Sequence, residues 1–149
     1  MPKYKYRFDS IIVVKEQEKN EVEMAYKKAV QNFEAVAQTL YDSLKRKEDL
    51  ISYQEQQMKI GMSIQEMHSN AQFLDSMEKA IVDIQNKVIQ ARSKMEWFEE
   101  KLLEQTLECR KYEKMREKDY ELFKLEENRL EMLQLDELSQ IAYYNKEIR

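Results

Sequence analysis

Ile60-Gly61-Met62-Ser63-Ile64-Gln65-Glu66 holds the only glycine of the chain and its one clear turn signal. Gly61 can take the left-handed conformation that ends a helix, and Ser63 can cap the helix that follows. Ser63-Ile64-Gln65-Glu66 reads as a capping box, in which the Ser63 hydroxyl accepts from the Glu66 backbone N–H and the Glu66 carboxylate reaches back. A reversal is therefore expected at about 61–63. Poor helix formers cluster at His68-Ser69-Asn70 and mark a second weak point, where a short loop or kink would fall.

Upstream of the turn, apolar residues recur at Val22, Tyr26, Ala29, Phe33, Val36 and Leu40, in the alternating steps of four and three that define a heptad seam. The register extends back to Ile12 and Phe8. Forward it meets Ser43, Lys47, Leu50 and Gln54, so the seam becomes mixed as it nears the turn. Downstream, the series from Leu74, Met77, Ile81 and Ile84 to Cys109 and Tyr112 holds without a stutter. Two facing seams predict an all-α fold, a long antiparallel two-helix coiled-coil hairpin forming one domain over 1–149. Helix one is expected over about 8–60 and helix two over about 64–147.

Folding about residue 62 makes the arms unequal. Helix one then ends near residue 116 of its partner, leaving roughly thirty C-terminal residues without a facing strand. That overhang carries Leu122, Phe123, Leu125, Leu130, Met132, Leu133, Leu135, Leu138, Ile141, Tyr143 and Tyr144, more apolar surface than a solvated helix keeps. Either a partner or a second chain should cover it. Near the turn the seams are mismatched, with Met77 facing about Lys47 and Ile81 facing about Ser43. Phe73, Met77, Ala80 and Ile84 then form a stripe on which another protein could dock.

Composition supports helix over a layered core. Among 149 residues, 36% are charged and 42% hydrophobic, with a single Gly and a single Pro. Nine Tyr, five Phe, nine Met and one Trp supply more ordering surface than disordered chains carry. A net charge of −4, with bases and acids interleaved, argues against nucleic acid. The longest strongly apolar run, Ile11-Ile12-Val13-Val14, is far short of a bilayer span, and no signal-peptide pattern is present, so a cytoplasmic protein is expected.

Chemistry has little to work with. His68 is the sole histidine and Cys109 the sole cysteine, and their separation leaves no Cys–His pair or zinc set within one chain. Cys109 falls on the seam and reads as a small buried hydrophobe. Acidic pairs such as Glu99-Glu100 and Asp136-Glu137 read as solvated helix faces. No catalytic residue, metal, cofactor or small-molecule substrate is expected.

The whole chain resembles the FliJ family of flagellar type III export proteins. The resemblance rests on Tyr6-Arg7-Phe8 with Ile11-Ile12, Gly61-Met62-Ser63-Ile64-Gln65-Glu66-Met67, Gln72-Phe73-Leu74, the run Lys111-Tyr112-Glu113-Lys114-Met115-Arg116-Glu117-Lys118, and Leu135-Asp136-Glu137-Leu138. It implies a non-catalytic stalk at the cytoplasmic face of the membrane. Such a stalk promotes assembly and activity of the hexameric export ATPase, contacts the cytoplasmic linker of the export gate and handles export chaperones. On that likeness Phe73, Met77, Ala80 and Ile84 would bind the gate. Tyr6, Arg7, Phe8 and Ile12, with Leu130, Leu133 and Leu138, would engage the ATPase. The first-helix counterpart of the gate stripe does not align, which leaves Leu44, Leu50 and Tyr53 as candidates. Monomer or weak dimer is expected. A coiled-coil adaptor and the equivalent stalk of a virulence-type secretion system are the alternative readings.

Overall fold

A computed structural model describes residues 3–148, without the side chain of Ile148. The fold is all-α. Helix α1 (Asp9–Ile60) and helix α2 (Ile64–Ile148) are 52 and 85 residues long and pack against each other as an antiparallel hairpin of unequal arms. No strand occurs among the described residues.

The turn follows its local chemistry. Gly61 has φ +117°, a region from which a Cβ substituent is largely barred, and its N–H donates to the Gln57 carbonyl at 3.0 Å to finish α1. The Glu66 N–H then donates to Ser63 Oγ at 3.2 Å, the forward half of the capping box. A Cβ at Gly61 would meet nothing within 4 Å, so a substitution there is opposed by backbone conformation alone. Gly61→Ala is expected to lower unfolding stability by about 1–2 kcal/mol, read as a shift of the thermal midpoint.

His68-Ser69-Asn70 lies inside the continuous helix α2, so no loop falls there. His68 and Ser69 face solvent, while Asn70 is half-buried with its Nδ2 3.9 Å from Met62 Sδ.

The chain forms two compact units, one of residues up to Lys19 with those from Glu104 onward, the other of Asn20–Leu103. In the second unit the shielded positions of α1 include Ala29, Phe33, Val36, Leu40, Ser43, Lys47, Leu50 and Gln54. Those of α2 are Asn70, Leu74, Met77, Ile81, Ile84, Val88, Ala91, Met95 and Phe98, together with the last pair before the boundary, Lys101 and Leu102. This is the heptad series read from sequence. Lys47 pairs with Glu78 at 3.3 Å and Arg92 lies over the Phe33 ring, each within one residue of a fold about residue 62. The first unit keeps the same pairing, with Lys15 3.9 Å from Glu108 and Asp9 4.0 Å from Arg116.

The core is narrow because two helices bury only one stripe each. Ala29, Ile81, Ala91, Ile12, Cys109 and Tyr6 are the buried residues. Polar seam residues come at a cost: Gln54 Nε2 and Gln105 Oε1 are buried without a hydrogen-bond partner, a penalty of about 1–3 kcal/mol each that constrains pairing register more than it adds stability.

Candidate functional site

In the unit built around the turn, the two seams leave a groove. Ser43 occupies a seam position of α1 and stands opposite Ile81. Its small side chain cannot fill the layer, and a cavity of about 280 Å³ opens between the helices. Ser43 and Arg46 form one wall, and Phe73, Ser76, Met77, Ala80 and Ile81 the other. Ile81 is its buried floor, whereas Phe73 is 56% exposed at its lip.

Three of the four residues proposed from sequence as a docking stripe, Phe73, Met77 and Ala80, therefore share one groove. Ile84 is half-buried in the seam beyond it. From α1 the groove takes Ser43 and Arg46, not Leu44, Leu50 or Tyr53. Tyr53 lines a separate, more polar hollow with Gln57, Met62 and Ser63 at the turn. Facing Ser43 with Ile81 was legible from the fold about residue 62. Arg46 was not, because it flanks the seam and heptad register alone does not say which flanking residues line a groove.

The second region lies in the unit that holds both termini. Residues 3–6 precede α1 in a non-helical arm. Tyr6 is buried (6% exposed) and its ring meets Phe8 edge-on at 5.7 Å. Ile12 is likewise buried at 4%. Of the four N-terminal candidates, only Arg7 is fully presented to solvent, with its guanidinium over the Phe8 ring at 5.5 Å. Tyr6 and Ile12 are thus packed within this unit, and Phe8 is half-buried.

The arm reaches further along α2 than the sequence indicated. Tyr4 Oη donates to Asp119 Oδ2 at 2.9 Å and lies 3.4 Å from the Arg116 carbonyl oxygen, and its ring packs on Tyr120 at 4.9 Å and Phe123 at 5.1 Å. The arm shields Phe123 on one side, while Leu122 and Leu125 beside it stay 65% exposed. Phe123 and Glu127 are half-buried, and every residue over 128–147 is exposed. Leu130, Leu133 and Leu138 all lie in that exposed stretch.

Desolvation by its packing, the hydrogen bond to Asp119 and the negative charge there push the Tyr4 hydroxyl up to about 12. A folded-state value above the usual 10 means that the contact contributes in full below about pH 10 and is lost as pH rises through 12. The arm is expected to stay docked to about pH 10 and to loosen between 10 and 12. Phenolate absorbance should show one tyrosine titrating late, and Tyr4→Phe should remove that late step. Burial likewise pushes the Cys109 thiol up, which keeps it protonated and poorly nucleophilic at neutral pH.

Residues 4–147 match the family described as Flagellar FliJ protein. The flagellar FliJ protein of Bacillus subtilis (strain 168) is 38% identical over 136 residues, covering 91% of this chain and 92% of that protein. The chain belongs to the FliJ family. No solved structure matches it.

As a FliJ-family protein, the chain is a structural component of the flagellar export apparatus. No helix among the described residues is long and apolar enough to cross a membrane, and no group of three or more His, Cys, Asp or Glu among them is placed to hold a metal ion. What this FliJ-family chain offers is surface: an apolar groove in one unit and an uncovered apolar helix in the other.

Proposed function

We propose that this chain is the non-catalytic stalk of the flagellar export ATPase, favouring assembly and hydrolysis by the hexamer and linking it to the membrane export gate. The single observation that supports this reading is the exposed stretch 128–147 of α2. Leu130, Leu133, Ile141 and Tyr144 share one face at helical spacing, while Met132, Leu135 and Tyr143 stand on the other sides. A helix that carries large apolar side chains on several sides is suited to an enclosing site, and a ring that grips a stalk is such a site. The groove at Phe73, Met77 and Ala80, continued by Ile84, would receive the cytoplasmic linker of the gate, a short amphipathic segment laid against helices. Arg7 and Phe8 would join Leu130, Leu133 and Leu138 at the ATPase contact. Handling of export chaperones and a position at the cytoplasmic face of the membrane belong to the same reading.

The deciding measurement is ATP hydrolysis by the cognate export ATPase with and without the protein. Stimulation accompanied by co-migration supports the stalk. Neither stimulation nor co-migration rejects it.

A further inference from the structure

The charge pattern of the exposed stretch identifies the chemistry of what covers it. Between Leu130 and Asn145 there are three carboxylates, Glu131, Asp136 and Glu137, and no Lys or Arg. Two other runs, 29–44 and 60–78, also lack Lys and Arg, but both lie in the unit where α1 and α2 face each other, and there the facing helix supplies a base, Lys47 pairing with Glu78 at 3.3 Å. Arg110 to Lys124, just upstream of the exposed stretch, interleaves both signs. The nearest base on the N-terminal side, Arg129, is already engaged, donating to both carboxylate oxygens of Glu126 at 2.6 and 3.1 Å. All three carboxylates are exposed. Glu137 lies on the apolar face itself and lines a shallow groove with Gln140, Ile141 and Tyr144.

A second copy of this chain is a poor occupant. Two such helices meeting on the Ile141 and Tyr144 face and crossing antiparallel about residue 137 would bring Glu137 of one chain against Glu137 of the other. Parallel pairing on that face would likewise oppose Glu137 with itself. Neither arrangement supplies a compensating base inside the apolar stretch, and like charges brought together on an apolar seam are destabilising. One partner helix would also cover a single face and leave Met132, Leu135 and Tyr143 in water.

We infer that residues 130–145 of α2 dock a heterologous protein surface that is apolar at its centre and carries Lys or Arg side chains, one of which is received by Glu137 between Ile141 and Tyr144. This deepens the stalk reading and rests on it, since the surface concerned would be that of the export ATPase. The carboxylates set which partner is accepted and exclude self-pairing, while the leucines and tyrosines supply most of the buried area.

The test uses the full chain and the cognate export ATPase, titrated at about 50 and 300 mM salt, where charge interactions are screened to different extents. Wild-type affinity should fall as salt rises. The variant E131Q/D136N/E137Q should bind about tenfold more weakly at low salt and lose most of the salt dependence, as expected for a few exposed charge pairs. Its far-ultraviolet circular dichroism should be unchanged, because none of the three side chains packs against α1. In sedimentation, the wild type should remain monomeric under conditions in which the neutralised variant begins to self-associate. Equal affinity of variant and wild type at both salts overturns the inference and leaves the stalk reading standing. A wild-type dimer that Leu133→Glu dissociates overturns it as well, because a second copy would then hold the surface. Absence of any wild-type binding overturns the stalk reading and this inference together.

Discussion

A chain ending at Arg129 is expected to lose all stimulation of the cognate export ATPase and to keep its thermal midpoint. The deleted residues Leu130, Met132, Leu133, Leu135, Leu138, Ile141, Tyr143 and Tyr144 are 48–68% exposed, so the hairpin gives up little packing when they go. The contacts that fix the arm to α2 stop short of the cut, at Asp119, Tyr120 and Phe123. Full burial of one such apolar side chain is worth about 1.5–3 kcal/mol, and eight of them exceed the cost of association even after heavy discounting. Helical signal should fall only in proportion to the residues removed. A truncated chain that stimulates hydrolysis as well as the full one would exclude this stretch from the ATPase contact. A truncated chain that unfolds early would show that the stretch packs on its own hairpin instead.

Phe73→Ala is expected to weaken binding to the export gate by about thirtyfold, or about 2 kcal/mol, the scale of an aromatic anchor at the centre of an interface. Phe73 stands at the lip of the groove with 56% of its surface exposed, so its ring contributes little to the hairpin. Ile81 supplies the contrast. It forms the floor of the same groove and is buried, so Ile81→Ala should cost about 2–5 kcal/mol of stability and weaken binding through partial unfolding. Titrating the cytoplasmic part of the gate with each variant, beside its melting curve, separates the two effects. Equal affinity of Phe73→Ala and wild type would reject the gate assignment.

The candidate surfaces were legible to different degrees. Phe73 and Ala80 could be placed beside the seam because heptad register fixes which side of a helix a residue occupies, and the fold about residue 62 fixes what it faces. Leu130, Leu133 and Leu138 stood out because no facing strand remained for them. Tyr6 and Ile12 were grouped with these as contact residues, yet both are buried packing. Sequence spacing gives the face of a helix, but Tyr6 precedes α1 and obeys no helical period. Arg46 was missed for a related reason, since whether a flanking residue lines a groove depends on how far apart the helices stand where Ser43 meets Ile81.

The sequence by itself determined the hairpin. One glycine fixes the reversal, Ser63 starts the second helix, and two heptad series, the first of them mixed near the turn, dictate both the pairing and the polarity of the faces, because each is set by local geometry that repeats along a helix. Tertiary structure alone decided three further matters. It carried α2 unbroken through His68-Ser69-Asn70, a stretch of weak helix propensity. It opened the groove beside Ser43, since a void depends on the volumes of both helices at one layer. It laid the N-terminal arm on α2 through Tyr4, Asp119, Tyr120 and Phe123, a contact between residues more than a hundred positions apart that no local pattern encodes.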